Sequence, residues 1–160
     1  MEILLEKESV KRVKDFISKF DFNIKIIILN TSARSAREAS ESLKCEVGAI
    51  VKSLLLKTKD DFFICLVAGD KRCSLNKLKK ILGKKDVSMA SADEVKINTG
   101  FSIGGVAPIG HIKELNILID SSLSRFENVF AAAGHPNCIF KIKYSQLIEI
   151  TNATEKEISE

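Results

Sequence analysis

The segment of residues 99–111, TGFSIGGVAPIGH, has a composition suited to binding a ligand through the main chain. It holds four of the eight glycines and one of the two prolines, and none of the charged residues that make up 29% of the chain. Glycine is favoured where φ is positive or where another group approaches the backbone closely. The segment lacks the Gly-Lys-Ser/Thr ending of a Walker A loop and the spacing G-x-G-x-x-G, which disfavours these two kinds of nucleotide-phosphate site.

A second short loop, GHPN at residues 134–137, has a related composition. Together the two loops hold both prolines and both histidines of the chain. For either loop alone a tight turn is the simpler interpretation, because Gly and Pro are common turn residues. The occurrence of both loops between predicted strands favours a pocket built from backbone groups.

Lys52 is the third residue that could take part in chemistry, because it interrupts the apolar run of residues 47–56. Strand alternation places it on the same face as Ile50 and Leu54. A lysine on an apolar face usually needs an anionic or carbonyl partner. The alternative is a lysine at a sheet edge that extends its ammonium group to solvent.

The elements that must position these residues follow from periodicity and capping residues. Apolar residues at helical spacing predict a first helix that begins after Ser9, and Thr31 or Ser32 could cap a second helix. Asp60 and Asp61 separate two apolar runs and predict a hairpin. Further strands are predicted at 24–29, 116–120, 128–133 and 138–143, and further helices begin after Ser74, after Ser91 and at residue 144. This mixed order favours an α+β or mixed-sheet α/β fold over a doubly wound sheet.

Length and charge limit the alternatives. The 160 residues suit one domain, predicted at 1–152, followed by a polar tail at 153–160 that is expected to fray. The chain has neither a signal-peptide pattern nor an apolar run long enough for a membrane span, which predicts a cytoplasmic protein without a membrane partner. The net charge of +4 permits a polyanionic partner such as RNA but does not require one. The four cysteines have no zinc-site spacing, so reduced, mostly buried thiols and no bound metal are expected.

Several segments, taken together, resemble a known family. They are TSARSAREAS, IVKSLLL, VAGDKRCSLNKLKKILG, MASADEVKINTGFSIGGVAPIGH, LIDSSL and AAAGHPNCIFKI. Their order and spacing are similar to those of the YbaK/prolyl-tRNA synthetase-associated domain family. The most specific combination is Lys52-Ser53-Leu54, Thr99-Gly100, the Gly104–His111 pattern GGxxPxGH and Gly134-His135-Pro136.

The resemblance implies a barrel-like mixed β-sheet flanked by helices and a free-standing deacylase that hydrolyses mischarged aminoacyl-tRNA, such as a mischarged tRNA-Pro, without metal or other cofactor. The ester is cleaved at the 3′-terminal adenosine. By this analogy Lys52 supplies the essential cation, and the loop with Gly104, Gly105 and Pro108 presents backbone groups to the ester and stabilises the developing oxyanion. His111 and Asp120 are interpreted as structural residues, Asp120 as a helix N-cap.

The same analogy suggests residues that bind the substrate and its tRNA. The substrate-binding candidates are Thr31, Ser53, Thr99, Gly100, Phe101, Gly134, His135 and Asn137. The basic residues that could hold the acceptor stem, or could simply form a solvated helix face, include Lys71, Arg72, Lys77 and Lys80. The implied partners are aminoacyl-tRNA and an aminoacyl-tRNA synthetase. The alternative functions are a binding module of the same fold without turnover and a purely structural interaction domain, which would leave the uncharged loop unexplained.

Overall fold

A computed structural model describes residues 2–20 and 23–160 of the chain. The α-helices are α1 (Glu2–Leu5), α2 (Glu8–Ser18), α3 (Ala36–Leu43), α4 (Leu75–Leu82), α5 (Ala92–Thr99) and α6 (Tyr144–Thr151). The strands are β1 (Ile26–Ile28), β2 (Ile50–Lys57), β3 (Phe62–Ala68), β4 (Ser88–Met89), β5 (Asn116–Asp120), β6 (Asn128–His135), β7 (Cys138–Lys143) and β8 (Thr154–Lys156). Short 3-10 helices lie at Val47–Ala49 and Ser121–Arg125. The predicted span of 1–152 includes Met1, Asp21 and Phe22, which lie outside the described residues.

The strands form one mixed sheet in the order β1-β7-β6-β2-β3-β5-β8, and β4 pairs with one end of β2. The pairs β2/β6, β3/β5 and β5/β8 are parallel, whereas the other pairs are antiparallel. The β2/β3 pair is the hairpin predicted from Asp60 and Asp61. The predicted class, a mixed α/β domain with helices flanking the sheet, is confirmed.

Strand β2 has a gap in its pairing on one side. Residues 51–57 of β2 are all paired with β3. On the other side β6 pairs only with Ile50 and Val51, and β4 pairs only with Leu56 and Lys57. Within the described part of the chain, residues 52–55 therefore have no strand partner on that side. Leu55 O accepts a 3.0 Å hydrogen bond from Ala90 N–H, so the main-chain groups that could bind another molecule at this edge are those of residues 52–54.

The two faces of β2 pack against different apolar clusters. Val51 and Leu55 belong to the largest cluster of buried residues. On the opposite face, Ile50 belongs to a second cluster with α3 and β7, and Leu56 belongs to a third cluster with β3 and α4. Lys52 lies on this opposite face, as strand alternation predicted, at the boundary between these two smaller clusters.

Two predicted helix starts are wrong. Helix α3 is capped by Ser35, whose side chain accepts a hydrogen bond from Glu38 N–H, and not by Thr31 or Ser32. Helix α2 begins at Glu8, one residue before the predicted cap Ser9. Ser9 Oγ instead donates a 2.8 Å hydrogen bond to Gly134 O, so tertiary contact takes precedence over the local capping signal. The predicted caps Ser74 and Ser91 are confirmed.

The tail of residues 153–160 does not fray as predicted. Its residues 154–156 form β8 in parallel pairing with β5, and Ile158 is fully buried. Ser159 forms an isolated antiparallel bridge with Cys73. The polar composition concealed this packing because Ile158 is the one fully buried apolar residue of the segment, and hydrogen bonds hold much of the rest.

Candidate functional site

A cavity of about 400 Å³ follows the unpaired edge of β2. Its lining is mainly apolar and comes from α3 and the residues before it, β2, the loop of residues 99–111, and single residues of β4, α5, β6 and β7. Met89 and Ile103 line the cavity and are also exposed to solvent, so they mark its mouth. A concave, mostly apolar cavity with a few polar groups is the usual form of a small-molecule site.

Lys52 is the lysine in the lining of this cavity. Its Nζ donates a hydrogen bond to the main-chain oxygen of Lys71. Burial lowers the pKa of Lys52 from its ordinary value, and the nearby Cys73 and Asp70 oppose this shift. An ammonium group with one carbonyl partner keeps two further N–H donors for a ligand.

Ser53 lies next to Lys52 and lines the same cavity. Its Oγ is inaccessible to solvent and has no hydrogen-bond partner among the described residues. A buried hydroxyl without a partner costs about 1–3 kcal/mol, so such groups usually have a functional reason. Because Oγ is inaccessible, a polar group of a ligand in the cavity would reach it only after a local shift of the lining.

The two glycine loops lie against each other at the cavity. Gly104 lines it with a φ of +94°, and a Cβ there would come within 3.5 Å of Pro136. Gly105 is buried behind it, where a Cβ would lie 2.9 Å from the main chain of His135. The absence of side chains at these positions therefore allows the loops to approach each other as well as any ligand.

The other sequence-predicted residues of the first loop fulfil structural roles. Thr99 Oγ1 bonds Val95 O at 2.6 Å and accepts from Phe101 N–H, while Gly100 ends α5 with a φ of +78°. Phe101 and Pro108 are buried. None of these four residues lines the cavity, so their roles in substrate binding or catalysis remain predictions.

His111 is held within the same loop. Its Nε2 hydrogen-bonds Ala107 O at 2.8 Å, and its ring meets Phe101 edge to face at 6.0 Å. Burial lowers the pKa of His111, which favours the neutral imidazole. These contacts agree with the structural interpretation of this residue.

Helix α2 forms hydrogen bonds with both glycine loops, a feature that the sequence did not predict. Arg12 Nε donates to Gly110 O at 2.8 Å and Nη2 donates to Thr99 O at 3.2 Å, so one guanidinium ties the two ends of the first loop. The same guanidinium lies 4.5 Å from the centre of the Phe101 ring. In the sequence Arg12 looks like any polar residue on a surface helix, which is why no signal identified it.

The second loop is tied to the chain that leads into α3. Asn137 Nδ2 donates to Leu29 O at 3.2 Å, and Ala33 N–H donates to Pro136 O at 2.8 Å. His135 is half-buried and its Nδ1 accepts from Asn137 N–H. Thr31 is exposed and bonds Ser42. His135, Asn137 and Thr31, like the buried Gly134, do not line the cavity.

Arg34 is a second residue that the sequence analysis missed. It lines the cavity, and its side chain packs beside Gly104. Its Nε donates to Ser32 Oγ at 3.2 Å, and no carboxylate of the described residues forms a salt bridge with it. The TSARSAREAS segment holds two arginines, and only the fold shows which one meets the glycine loop.

The predicted tRNA-binding lysines do not form one uniform surface. Lys77 Nζ donates to Ser159 O at 2.6 Å and to Glu157 at 3.2 Å, so this group is already paired. Lys71 contributes its main-chain oxygen to Lys52. Arg72 and Lys80 are exposed. A role of these four residues in binding the acceptor stem remains a prediction.

The thiols and acidic groups form no evident metal centre. Cys65 and Cys138 are buried and Cys45 and Cys73 are half-buried, all as free thiols. In the ranges 2–20 and 23–160, no group of three His, Cys, Asp or Glu side chains is arranged to hold a metal ion. The helices in these ranges are all too short or too polar to cross a bilayer.

Comparison with known proteins identifies related chains. The chain is 31% identical over 144 residues to the uncharacterised protein YwhH of Bacillus subtilis (strain 168), covering 89% of this chain and 91% of YwhH. It is 27% identical over 126 residues to an Enterococcus faecalis protein named "Putative Cys-tRNA(Pro)/Cys-tRNA(Cys) deacylase EbsC", covering 78% and 77% of the two chains. A solved structure described as "a putative trans-editing enzyme for prolyl tRNA synthetase" superposes with a TM-score of 0.90 at 34% identity, covering 96% of this chain and 98% of the other.

A family profile extends this similarity to the site itself. The profile of the aminoacyl-tRNA editing domain matches residues 30–150, which include β2 with Lys52 and both glycine loops. This range covers most of the chain and contains the motifs that carried the resemblance in the sequence. The protein therefore belongs to the aminoacyl-tRNA editing domain family.

Proposed function

We propose that the protein hydrolyses the ester of mischarged aminoacyl-tRNA at the cavity beside β2. The observation that carries this proposal is one mostly apolar cavity along the unpaired edge of β2. Lys52 and Ser53 of that strand and Gly104 of the first glycine loop all line it. The names of the related proteins from Enterococcus faecalis and of the superposed structure support a deacylating, trans-editing role.

The proposed chemistry needs no protein nucleophile, because an aminoacyl ester is already activated. Water attacks the carbonyl carbon, the bond to the ribose oxygen breaks, and that oxygen takes up a proton as the amino acid leaves. The site assists by holding the ester in attack geometry and by stabilising the developing oxyanion. Lys52 would supply positive charge, and main-chain N–H groups of the Gly104 loop would donate hydrogen bonds. The proposal assigns no step to a metal ion.

Arg34 extends the proposed site toward the nucleic acid. The first carbons of its side chain pack beside Gly104 at the cavity, and its guanidinium forms no salt bridge with a carboxylate of the described residues. A guanidinium of this kind suits the phosphate groups next to the terminal adenosine.

Deacylation of labelled alanyl-, cysteinyl- and seryl-tRNA-Pro tests the proposal directly. We expect release of at least one amino acid well above the rate of spontaneous hydrolysis. Release at the spontaneous rate for every substrate, together with measurable binding of aminoacyl-tRNA, would instead support a binding module without turnover.

The rate enhancement is expected to depend on the charge of Lys52. Burial lowers the pKa of Lys52 below its ordinary 10.5, and the charged form exists only below the actual pKa. The enhancement over spontaneous hydrolysis should therefore fall as the pH rises through this lowered pKa. A Lys52→Arg variant keeps its charge and should lose this alkaline decline, even if it is slower. The same alkaline decline in both proteins would contradict the assignment.

Replacing Ser53 with alanine is expected to make the free protein more stable and the enzyme weaker. The change removes a buried hydroxyl that has no partner in the described residues. We expect the melting temperature to rise by about 2–4 °C, for a gain of about 1 kcal/mol. If the substrate supplies the partner, KM should rise in the same variant. A lower melting temperature with unchanged kinetics would show that Ser53 is an ordinary packing residue.

A further inference from the structure

The contacts of Lys52 lead away from the cavity to the tail of the chain. Lys52 Nζ is bonded to the main-chain oxygen of Lys71, in the segment that connects β3 to α4. The next three residues, 72–74, are bonded through their main chain to residues 158–160. Arg72 O accepts from Glu160 N–H at 2.9 Å, and Ser74 N–H donates to Ile158 O at 2.8 Å. The bridge between Cys73 and Ser159 lies between these two bonds.

The tail is in turn fixed by one buried carboxylate. Asp120 is fully buried at the end of β5. Its Oδ1 accepts from Ile158 N–H at 2.7 Å and from Ser159 N–H at 3.0 Å, and its Oδ2 accepts from Ser159 Oγ at 2.9 Å. Ser122 donates to Oδ2 from the start of the following 3-10 helix. The expected N-cap role of Asp120 is thus confirmed, but it is only part of what this carboxylate does.

The hydrogen bonds to Asp120 are strong enough to determine its charge. Burial alone would raise the pKa of Asp120, but the bonds from Ser122, Ile158 and Ser159 together lower it. A charged carboxylate that accepts several N–H and O–H donors holds them more firmly than a neutral group would. The burial of Ile158 among the cluster with Leu78 adds an apolar anchor to the same segment.

We propose that residues 158–160 position Lys52 for its reaction, acting through the main chain of residues 71–74 and anchored by Asp120. This proposal rests on the proposed role of Lys52 in deacylation. Asp120, Ser159 and the main-chain N–H of Glu160 then position Lys52 and touch no reacting atom. An error of about 1 Å in the position of a charged group can lower the reaction rate by a large factor. An anchor that fixes the position of Lys52 would therefore increase the rate.

A proline at position 160 tests the proposal by removing one main-chain hydrogen bond between the tail and Arg72. Glu160→Pro removes the N–H that bonds Arg72 O, whereas the control Glu160→Ala removes the same side chain but keeps the N–H. Both are compared in the full chain by deacylation kinetics and by acetylation of Lys52 with acetic anhydride. Mass spectrometry measures this acetylation relative to the exposed Lys85.

The proline variant should loosen Lys52 and leave substrate binding nearly unchanged. We expect kcat to fall about two- to tenfold, KM to stay within about twofold, and Lys52 acetylation to rise by a similar two- to tenfold factor, the range for one hydrogen bond. The alanine control should match wild type in both measurements. Acetylation of Lys52 that is equal in the two variants would overturn the proposal. Increased acetylation in Glu160→Pro, when even wild type lacks deacylase activity, would support the tail's role and contradict the proposed function.

A second pair of variants avoids changes to the main chain. Ser159→Ala and Ser122→Ala each remove one hydroxyl donor from Asp120 Oδ2, but only Ser159 belongs to the tail. Lys52 acetylation should increase in Ser159→Ala and stay at the wild-type value in Ser122→Ala. Equal increases in both would show that Asp120 acts on Lys52 through the sheet and not through residues 158–160.

Discussion

Lys52→Ala is expected to lower kcat for deacylation by about tenfold or more. The substitution removes the positive charge of the lysine that lines the cavity, and a developing oxyanion there would need such a charge. The low polarity of the lining strengthens this electrostatic effect relative to water. Single-turnover kinetics on the best substrate of the panel measure the change in the chemical step.

The fold should survive this substitution, which separates catalysis from stability. Lys52 is only half-buried, and its Nζ makes one hydrogen bond, to Lys71 O. Circular dichroism should therefore show wild-type secondary structure for Lys52→Ala. Lys57→Ala is a suitable control, because Lys57 lies on the same strand but pairs with Glu94 outside the cavity. Equal rates for Lys52→Ala and wild type would remove Lys52 from the mechanism.

Gly105→Ala is expected to impair both activity and stability, through contact between the two glycine loops. The new Cβ would lie 2.9 Å from main-chain atoms of His135, which cannot move aside as a flexible side chain can. Overpacking of this kind costs about 1–3 kcal/mol. The shift also moves Gly104 in the cavity lining, so kcat should fall in the fraction of protein that remains folded. Thermal unfolding measures the loss of stability, and single-turnover kinetics at a temperature where the variant is folded measure the loss of activity.

Gly83→Ala provides the matched control for this prediction. Gly83 ends α4 with a φ of +65°, and a Cβ there would meet no atom within 4 Å. The variant should lose about 1 kcal/mol of stability from backbone strain and keep wild-type kcat. If Gly105→Ala affects stability and activity no more than Gly83→Ala does, the close approach of the two loops has no functional importance.

Local signals in the sequence predicted the elements around the site correctly. Three kinds of signal depend only on neighbours a few residues away. They are the hairpin turn at Asp60 and Asp61, the caps Ser74 and Ser91, and the strand alternation that placed Lys52 and Val51 on opposite faces of β2. Such short-range patterns survive in the fold because the tertiary contacts agree with them. The failed cap at Ser9 shows the opposite case, in which a contact with Gly134, 125 residues away in sequence, decides the hydrogen bond.

The cavity itself could not be predicted, because it depends on where strands stop pairing. β6 pairs with only two residues of β2, and β4 pairs with β2 only at its other end. Distant parts of the chain determine both pairings. Positions at the ends of the predicted strands would suggest that residues 28–32, Val51, Phe101 and 131–133 shape the amino-acid pocket. Of these, Val51 and Ala132 line the cavity, whereas Phe101 lies in the core. Arg34 and the tail were missed for the same reason, since their importance comes from contacts between segments far apart in sequence.

The contacts of α2 have a consequence for how the editing fold can be transplanted. The family profile begins at residue 30, yet Ser9 and Arg12 hold both glycine loops from outside that range. A host protein that received only residues 30–150 would carry the lysine and the glycines without the helix that aligns them. Grafting this module into another enzyme therefore requires α2 itself or a substitute helix at the same place, because the range that the family profile matches leaves these contacts out.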